Sequence, residues 1–242
     1  MYGPPGIGKT VATRFVYEKL KIQSGIGIDQ TTAISEPSVI PTAFFFSRQD
    51  PLRRTEEAFI REIVCQLLSA DYNLVTHVDK QYREDKETMN TAACYAFLEQ
   101  LLKYKPGPLV RIVIDGLDEA DDDQRDSIAR AVFDLAGNDK HSRLRIFISD
   151  RRPPLATMNK RFSAPGVAIL ELEAGDVSTG VDAFIASEIE HFASEHSFES
   201  DVTREIVETI ANVADGAFLH AKLAIANFKG RVKLWSVSNL FM

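Results

Sequence analysis

The sequence predicts an α/β protein, a parallel sheet with helices on both faces over residues 1–175, followed by a small helical subdomain over 176–242. Three observations predict it. Short apolar runs alternate with longer segments of helical periodicity, and the strand runs stop near residue 176. The pattern G-x-x-x-x-G-K-[ST] stands at Gly3-Pro4-Pro5-Gly6-Ile7-Gly8-Lys9-Thr10, which calls for a loop opening into a helix. A third run, Ile112-Val113-Ile114-Asp115-Gly116-Leu117-Asp118-Glu119, passes from apolar residues into carboxylates, as a strand does when it delivers an acid at its C-terminal tip.

The helix after the loop is supported by Val11, Ala12, Phe15, Val16 and Leu20, which fall on one face. Residues 23–38 are polar and contain glycine, and they read as a surface loop. The run from Thr42 to Phe46, after Pro41, reads as a buried strand. A helix over 55–69 carries a wide stripe of Phe59, Ile60, Ile63, Val64, Leu67 and Leu68. A second, over 88–103, stops before Pro106-Gly107-Pro108. Residues 109–114 form the next strand, 124–135 a helix ending at Gly137, and 144–148 a strand. A further strand is expected at 167–170, beyond the loop 151–166. Helices over 179–192, 202–213 and 217–228 make up the subdomain. Only Met1 and Tyr2 precede Gly3, so the strand expected ahead of the loop is missing; either Met1 is not the true start or the chain is marginally folded.

Composition bounds the function. At 242 residues, 45% hydrophobic and 26% charged, the chain can bury a sizeable core. A net charge of −7 argues against a nucleic-acid partner, which calls for a basic face. No apolar run approaches the roughly 18 residues that span a bilayer, and no basic-then-apolar leader opens the sequence. An intracellular, cytoplasmic protein with no membrane partner is the expectation. Cys65 and Cys94 sit in apolar helical context without C-x-x-C spacing, so buried reduced thiols are expected.

The chemistry of the motifs is phosphate chemistry. Glycines let consecutive backbone N–H groups turn in around a β-phosphate, Lys9 adds a positive charge, and the Thr10 hydroxyl can ligate Mg²⁺. The positive end of the following helix favours the same anion. Asp115 is placed to serve Mg²⁺ opposite Thr10. Glu119, with Asp118 as its competitor, can polarise an attacking water; the same carboxylates also suit a solvated loop capping the next helix. Arg151 and Arg152, after the 144–148 strand, can pair with a γ-phosphate or neutralise the acidic loop, and charge alone does not choose between them.

These elements, in this order, resemble the NACHT branch of the STAND ATPases, an AAA-like (ASCE) group of P-loop NTPases. Within it the chain resembles the nephrocystin-like N-terminal domain and fungal heterokaryon-incompatibility (NLR-like) proteins. The resemblance rests on the loop at 3–10, the aromatic run Phe44-Phe45-Phe46-Ser47-Arg48, and Ile114-Asp115-Gly116-Leu117-Asp118-Glu119, which matches a hydrophobic-D-G/A-L-D-E signature. Residues 144–153 resemble a sensor strand usually read T-S-R-P, with Asp150 where Ser or Thr is common. Asp215-Gly216-Ala217-Phe218-Leu219-His220-Ala221 resembles a G-x-F-L-W-A helix, with His220 in place of Trp as a packing substitution. The resemblance implies a signalling switch that exchanges ADP for ATP, uses Mg²⁺, hydrolyses slowly and forms a homo-oligomer. It also implies an effector domain and C-terminal repeats in full-length relatives.

Other readings use the same residues. Asp118-Glu119-Ala120-Asp121 spells D-E-A-D, but in helicases the first Asp of that motif ends the strand, whereas Asp115 does so here. A guanine-reading N-K-x-D is not matched by Asn138-Asp139-Lys140. A non-enzymatic remnant acting as an interaction module stays open beside the switch. His191 and His196 are five residues apart and do not share a helix face, so no metal site beyond Mg²⁺ is expected. The stripe Phe184, Ile185, Ile189 and Phe192 is read as packing of the subdomain on the sheet.

Overall fold

β-Branched and aromatic residues dominate three short runs, and each becomes a strand. The computed structural model describes residues 1–24, 39–71, 74, 90–103, 107–137, 143–151 and 166–238, with side chains as far as residue 232. The strands are β1 (Val39–Phe45), β2 (Leu109–Asp115) and β3 (Leu144–Ile148), in the order β1-β2-β3, all parallel. Register pairs Phe45 with Asp115 and Ile114 with Ile148, so the three strands end together at their C-terminal edge. The central strand β2 is buried along most of its length, as expected of a parallel strand covered by other elements.

The helices are α1 (Lys9–Ser24), α2 (Glu56–Ala70), α3 (Thr91–Lys103), α4 (Arg125–Gly137), α5 (Ala174–His196), α6 (Ser200–Ala214) and α7 (Phe218–Ser238). Local chemistry fixes several starts. Thr55 accepts from the Ala58 N–H at 3.2 Å ahead of α2, and Asn90 accepts from the Ala93 N–H at 2.9 Å ahead of α3. The predicted start of α3, residues 88 and 89, lies outside the described residues, as do 25–38 of the predicted surface loop. Gly230 lies inside α7, which runs past the predicted end at 228 because one glycine costs a helix only about 1 kcal/mol.

The chain divides into two compact units, Met1–Tyr2 with Thr10–Leu170, and Gly3–Lys9 with Glu171–Met242. In the first, Phe59, Ile60, Ile63, Val64 and Leu67 of α2 join Leu98, Leu101 and Leu102 of α3 and the apolar side chains of β1 and β2 in one core. Phe44 meets Phe46 and Phe59 edge to face, with ring centroids 4.7 and 5.6 Å apart. Burying each such side chain stabilises by roughly 1.5–3 kcal/mol. The outer edge of β1 is closed by a side chain: the Ala43 N–H donates to Gln66 Oε1 at 2.8 Å, and Gln66 Nε2 donates to the Ala43 carbonyl at 2.9 Å. Gln66 thus supplies one donor and one acceptor where a neighbouring strand would.

Three sequence expectations are corrected in this unit. No strand forms at 167–170, and Val167, Ile169 and Leu170 are exposed. A strand needs a ladder, and no strand is assigned here although the Tyr2 N–H donates to the Leu170 carbonyl at 2.9 Å. On its other side Tyr2 bridges Asp150, and the Met1 ammonium donates to the Ile148 carbonyl at 2.9 Å. Met1 and Tyr2 thereby lie alongside the end of β3. The apolar face expected on α1 is not the buried one: Thr13 is fully buried, while Val11 and Phe15 are 58% and 62% exposed. Finally, Cys94 is buried but Cys65 is exposed, because α2 turns that position away from its apolar stripe.

In the second unit Val181, Ile185 and Ile189 of α5 pack against Ile210 and Ala214 of α6 and Ala221 and Ile225 of α7. The stripe read as docking on the sheet is therefore occupied by the unit's own helices, with Phe192 meeting Phe228 edge to face at 5.7 Å. His220 is exposed rather than packed.

Candidate functional site

The parallel arrangement brings three strand ends to one edge, where ligands of open α/β sheets gather. Asp115 is the last residue of β2 and is buried, and its carboxylate accepts a short hydrogen bond from the Ser149 hydroxyl just after β3. Ser149 Oγ in turn accepts from the Gly116 N–H at 3.0 Å, and the Ser149 carbonyl accepts from the Leu117 N–H at 3.1 Å. Gly116 lies at φ +66°, a conformation glycine adopts without strain. That reversal sends the chain into a 3₁₀ turn, Leu117–Glu119, pinned underneath by the buried Leu117.

The turn presents Asp118 and Glu119 to two arginines. Arg151 Nε lies 2.8 Å from Asp118 Oδ2, its backbone N–H donates to Asp118 Oδ1 at 3.2 Å, and its Nη2 is 3.7 Å from Glu119 Oε1. Arg48, three residues beyond β1, donates its backbone N–H to Glu119 Oε2 at 3.2 Å. Its Nη2 reaches the Asp118 carbonyl at 3.2 Å and Asp122 Oδ1 at 3.0 Å. Asp118, Glu119 and Arg151 therefore contact one another, while Asp115 is joined to Ser149. Arg152 lies outside the described residues. Arg48 was missed as a member of this cluster, although its place directly after an apolar strand, like that of Arg151, was a readable signal. So was Ser149, whose hydroxyl orients the strand-tip acid.

The loop residues Gly3–Lys9 belong to the second compact unit. Gly6 and Gly8 adopt φ of +78° and +108°, which explains glycine at both places. A side chain would also find no room, since a Cβ on Gly6 would lie 2.8 Å from Leu219 Cβ and one on Gly8 2.8 Å from Phe218 Cδ2. Lys9 opens α1, and its ammonium donates to the carbonyls of Gly3 at 2.7 Å and Pro4 at 2.8 Å. Thr10 follows in the first turn, exposed. Among the described residues no group of three or more His, Cys, Asp or Glu is arranged to hold a metal ion, and no helix is long and apolar enough to cross a membrane.

The family model described as nephrocystin 3, N-terminal, matches residues 1–151. The chain belongs to that family. The matched span holds the glycine loop, the β2 tip with its 3₁₀ turn, and Arg48, Ser149 and Arg151; the helices from α5 onward lie beyond it. The chain is also similar to the vegetative incompatibility protein HET-E-1 of Podospora anserina, 24% identical over 233 residues. That similarity covers 91% of this chain and 16% of the relative, so the family member spans a small part of the length of the curated protein it matches.

Proposed function

We propose that the chain is the nucleotide-binding core of a NACHT-type (STAND) signalling switch, built on a P-loop NTPase fold, that takes up ATP and ADP and hydrolyses ATP slowly. The observation that carries this reading is the loop at residues 3–10, with glycines at positive φ where a side chain would be excluded and α1 opening at Lys9. A loop of that kind offers backbone N–H groups and a helix N-terminus to a phosphate. Lys9, whose ammonium rests on the Gly3 and Pro4 carbonyls, would transfer its hydrogen bonds to phosphate oxygens.

The donor set fits Mg²⁺. One carboxylate, Asp115, and one hydroxyl, Thr10, are hard oxygen ligands, and a magnesium ion takes few protein ligands when phosphates and water complete its shell. When bound, Mg²⁺ supplies charge neutralisation across the β- and γ-phosphates. Ser149 would hold Asp115 in orientation for that task. Glu119 would polarise the attacking water, Asp118 would fix Arg151, and Arg151 would exchange its carboxylate partners for a γ-phosphate.

Preference for adenine follows the resemblance to NACHT proteins, as do assembly into a homo-oligomer, work in the cytoplasm, and the flanking effector and repeat domains of longer relatives. The similarity to an incompatibility protein supports a place in heterokaryon incompatibility or a related self-recognition signal.

The test is Mg²⁺-dependent binding of labelled ATP and ADP to the 242-residue chain beside Lys9→Ala, with a thermal melt of each. Binding by the parent, weakened about 10- to 100-fold in Lys9→Ala with the melt kept, is the expected result for a charge-assisted contact. A cooperatively melting parent that binds neither nucleotide would overturn the reading in favour of an interaction module.

A further inference from the structure

The phosphate loop is shaped from behind by the first turn of α7. The Leu219 N–H donates to the Gly6 carbonyl at 3.1 Å. Leu219 is the second residue of α7, and N–H groups of a first helical turn have no partner within their own helix. One such orphan donor is spent here on the loop. The contact is reinforced on both sides: the Leu219 side chain fills the space a Cβ on Gly6 would need, and the Phe218 ring fills that beside Gly8. Phe218 is itself anchored in the helical unit, 5.9 Å from the Phe184 ring and against Gly180. The turn leading into α7 is tight, with Asp215 and Gly216 both at positive φ and the Ala217 N–H bonded to the Ala214 carbonyl.

A trans peptide plane points its carbonyl and its N–H in opposite directions. Fixing the Gly6 carbonyl on α7 therefore turns the N–H of the same peptide, that of Ile7, away from α7 and into the loop. The buried Ile7 side chain holds the peptide from the next residue. We infer that the backbone N–H of Leu219 is a positioning group for the phosphate loop: by holding the Gly6 carbonyl outward it presents the Ile7 N–H as a donor to a phosphate shared by nucleoside di- and triphosphates. This rests on the reading of residues 3–10 as a phosphate site. It gives α7, which lies beyond the family match, a direct part in nucleotide affinity.

The test separates the N–H from the side chain. Leu219→Pro deletes the donor at a first-turn position, where proline is tolerated because no helical hydrogen bond is lost. His220→Ala alters the next, exposed residue and leaves the Leu219 backbone unrestricted. Leu219→Ala keeps the donor. With Mg²⁺-ADP and Mg²⁺-ATP as probes, Leu219→Pro should bind both about tenfold more weakly, the fold-change of one net hydrogen bond. Leu219→Ala should recover most of that affinity. Amide exchange gives the site-specific readout: ADP should slow exchange at Ile7 in the parent and much less in Leu219→Pro. Parent-like affinity and Ile7 protection in Leu219→Pro, or an equal loss in His220→Ala, would overturn the inference. Should Leu219→Pro fail to melt cooperatively, the parent decides by itself, since a Leu219 amide that exchanges freely with ADP bound rules the contact out. A parent that binds neither nucleotide overturns the phosphate reading as a whole; an apo Leu219 amide that is still protected would then mark the α7 contact as architectural.

Discussion

The guanidinium of Arg125 holds both carboxylate oxygens of Asp150, at 2.9 and 2.8 Å, with Asp150 only 1% exposed. The pair ties the first residue of α4 to the residue that follows Ser149 at the end of β3, and so braces the loop that carries Asp118 and Glu119. Removing the arginine would take from a buried carboxylate its bidentate partner, leaving the Met1 ammonium as a nearby positive charge. Arg125→Ala should lower unfolding stability by about 2–4 kcal/mol, somewhat less than for a fully buried pair because the arginine is partly exposed. The double variant Arg125→Met with Asp150→Ser should lose less than Arg125→Ala alone, since it removes both charges. Urea denaturation of the parent and the variants measures this, and an Arg125→Ala variant as stable as the parent would show the pair to be energetically idle.

Gly8 is constrained twice, by its φ of +108° and by the Phe218 ring. Gly8→Ala should therefore weaken ADP binding, and trimming the ring in Gly8→Ala with Phe218→Ala should restore only part of the loss. The missing part belongs to the backbone, where a non-glycine residue in such a conformation costs on the order of 1–3 kcal/mol. Titration with labelled ADP separates the two contributions. Full recovery in the double variant would mean that space alone selects glycine here.

Cys94 is buried on α3 while Cys65 faces solvent on α2. Burial pushes the Cys94 thiol above its usual pKa, with the nearby Arg61 opposing the rise. The thiolate is the reactive form, so at mildly alkaline pH iodoacetamide should modify Cys65 in the folded chain and reach Cys94 only after denaturant opens the core. Intact mass and peptide mapping give the answer. Equal labelling of both thiols in a cooperatively folded sample would contradict the packing of α3 against α2.

What was legible in the sequence follows from the range of the interactions involved. Periodicity and caps are local, so the helices of the first unit appeared within a few residues of their observed bounds, while the last helix runs ten residues past its predicted end, and the β2 run announced both a buried strand and the acid at its tip. Partners are not local. Gln66 on the edge of β1, Arg125 on Asp150 and Arg48 on Glu119 each join residues far apart in sequence, and nothing in their neighbourhoods names the other member. The apolar run at 167–170 misled because strand propensity needs a ladder of several residues to realise it, and here the chain pairs with the short Tyr2 segment. The α1 stripe misled for a related reason: a pattern tells which residues share a face, and the core decides which face is buried.

The last prediction concerns the carboxylate that Arg48 and Arg151 share. Glu119→Gln keeps an oxygen to accept the Arg48 N–H, so the 3₁₀ turn should survive, but it removes the negative charge that a water-polarising group needs. ADP and ATP binding should stay within about threefold of the parent, whereas phosphate release at saturating ATP should fall about 100-fold, the lower end of what a general base contributes. Arg48→Ala leaves its own backbone N–H on Glu119 and removes only the guanidinium that brackets the Asp118 carbonyl and Asp122. That pair is exposed, so its stability cost should stay below about 1 kcal/mol. Looser placement of the turn should still slow turnover, by roughly 3- to 10-fold, without altering affinity, because a small misplacement of a catalytic group costs rate before it costs binding. If Glu119→Gln turns over at the parental rate, the water is handled elsewhere, and Asp118→Asn is the variant that then distinguishes a second acidic candidate from a chain that binds nucleotide without hydrolysing it.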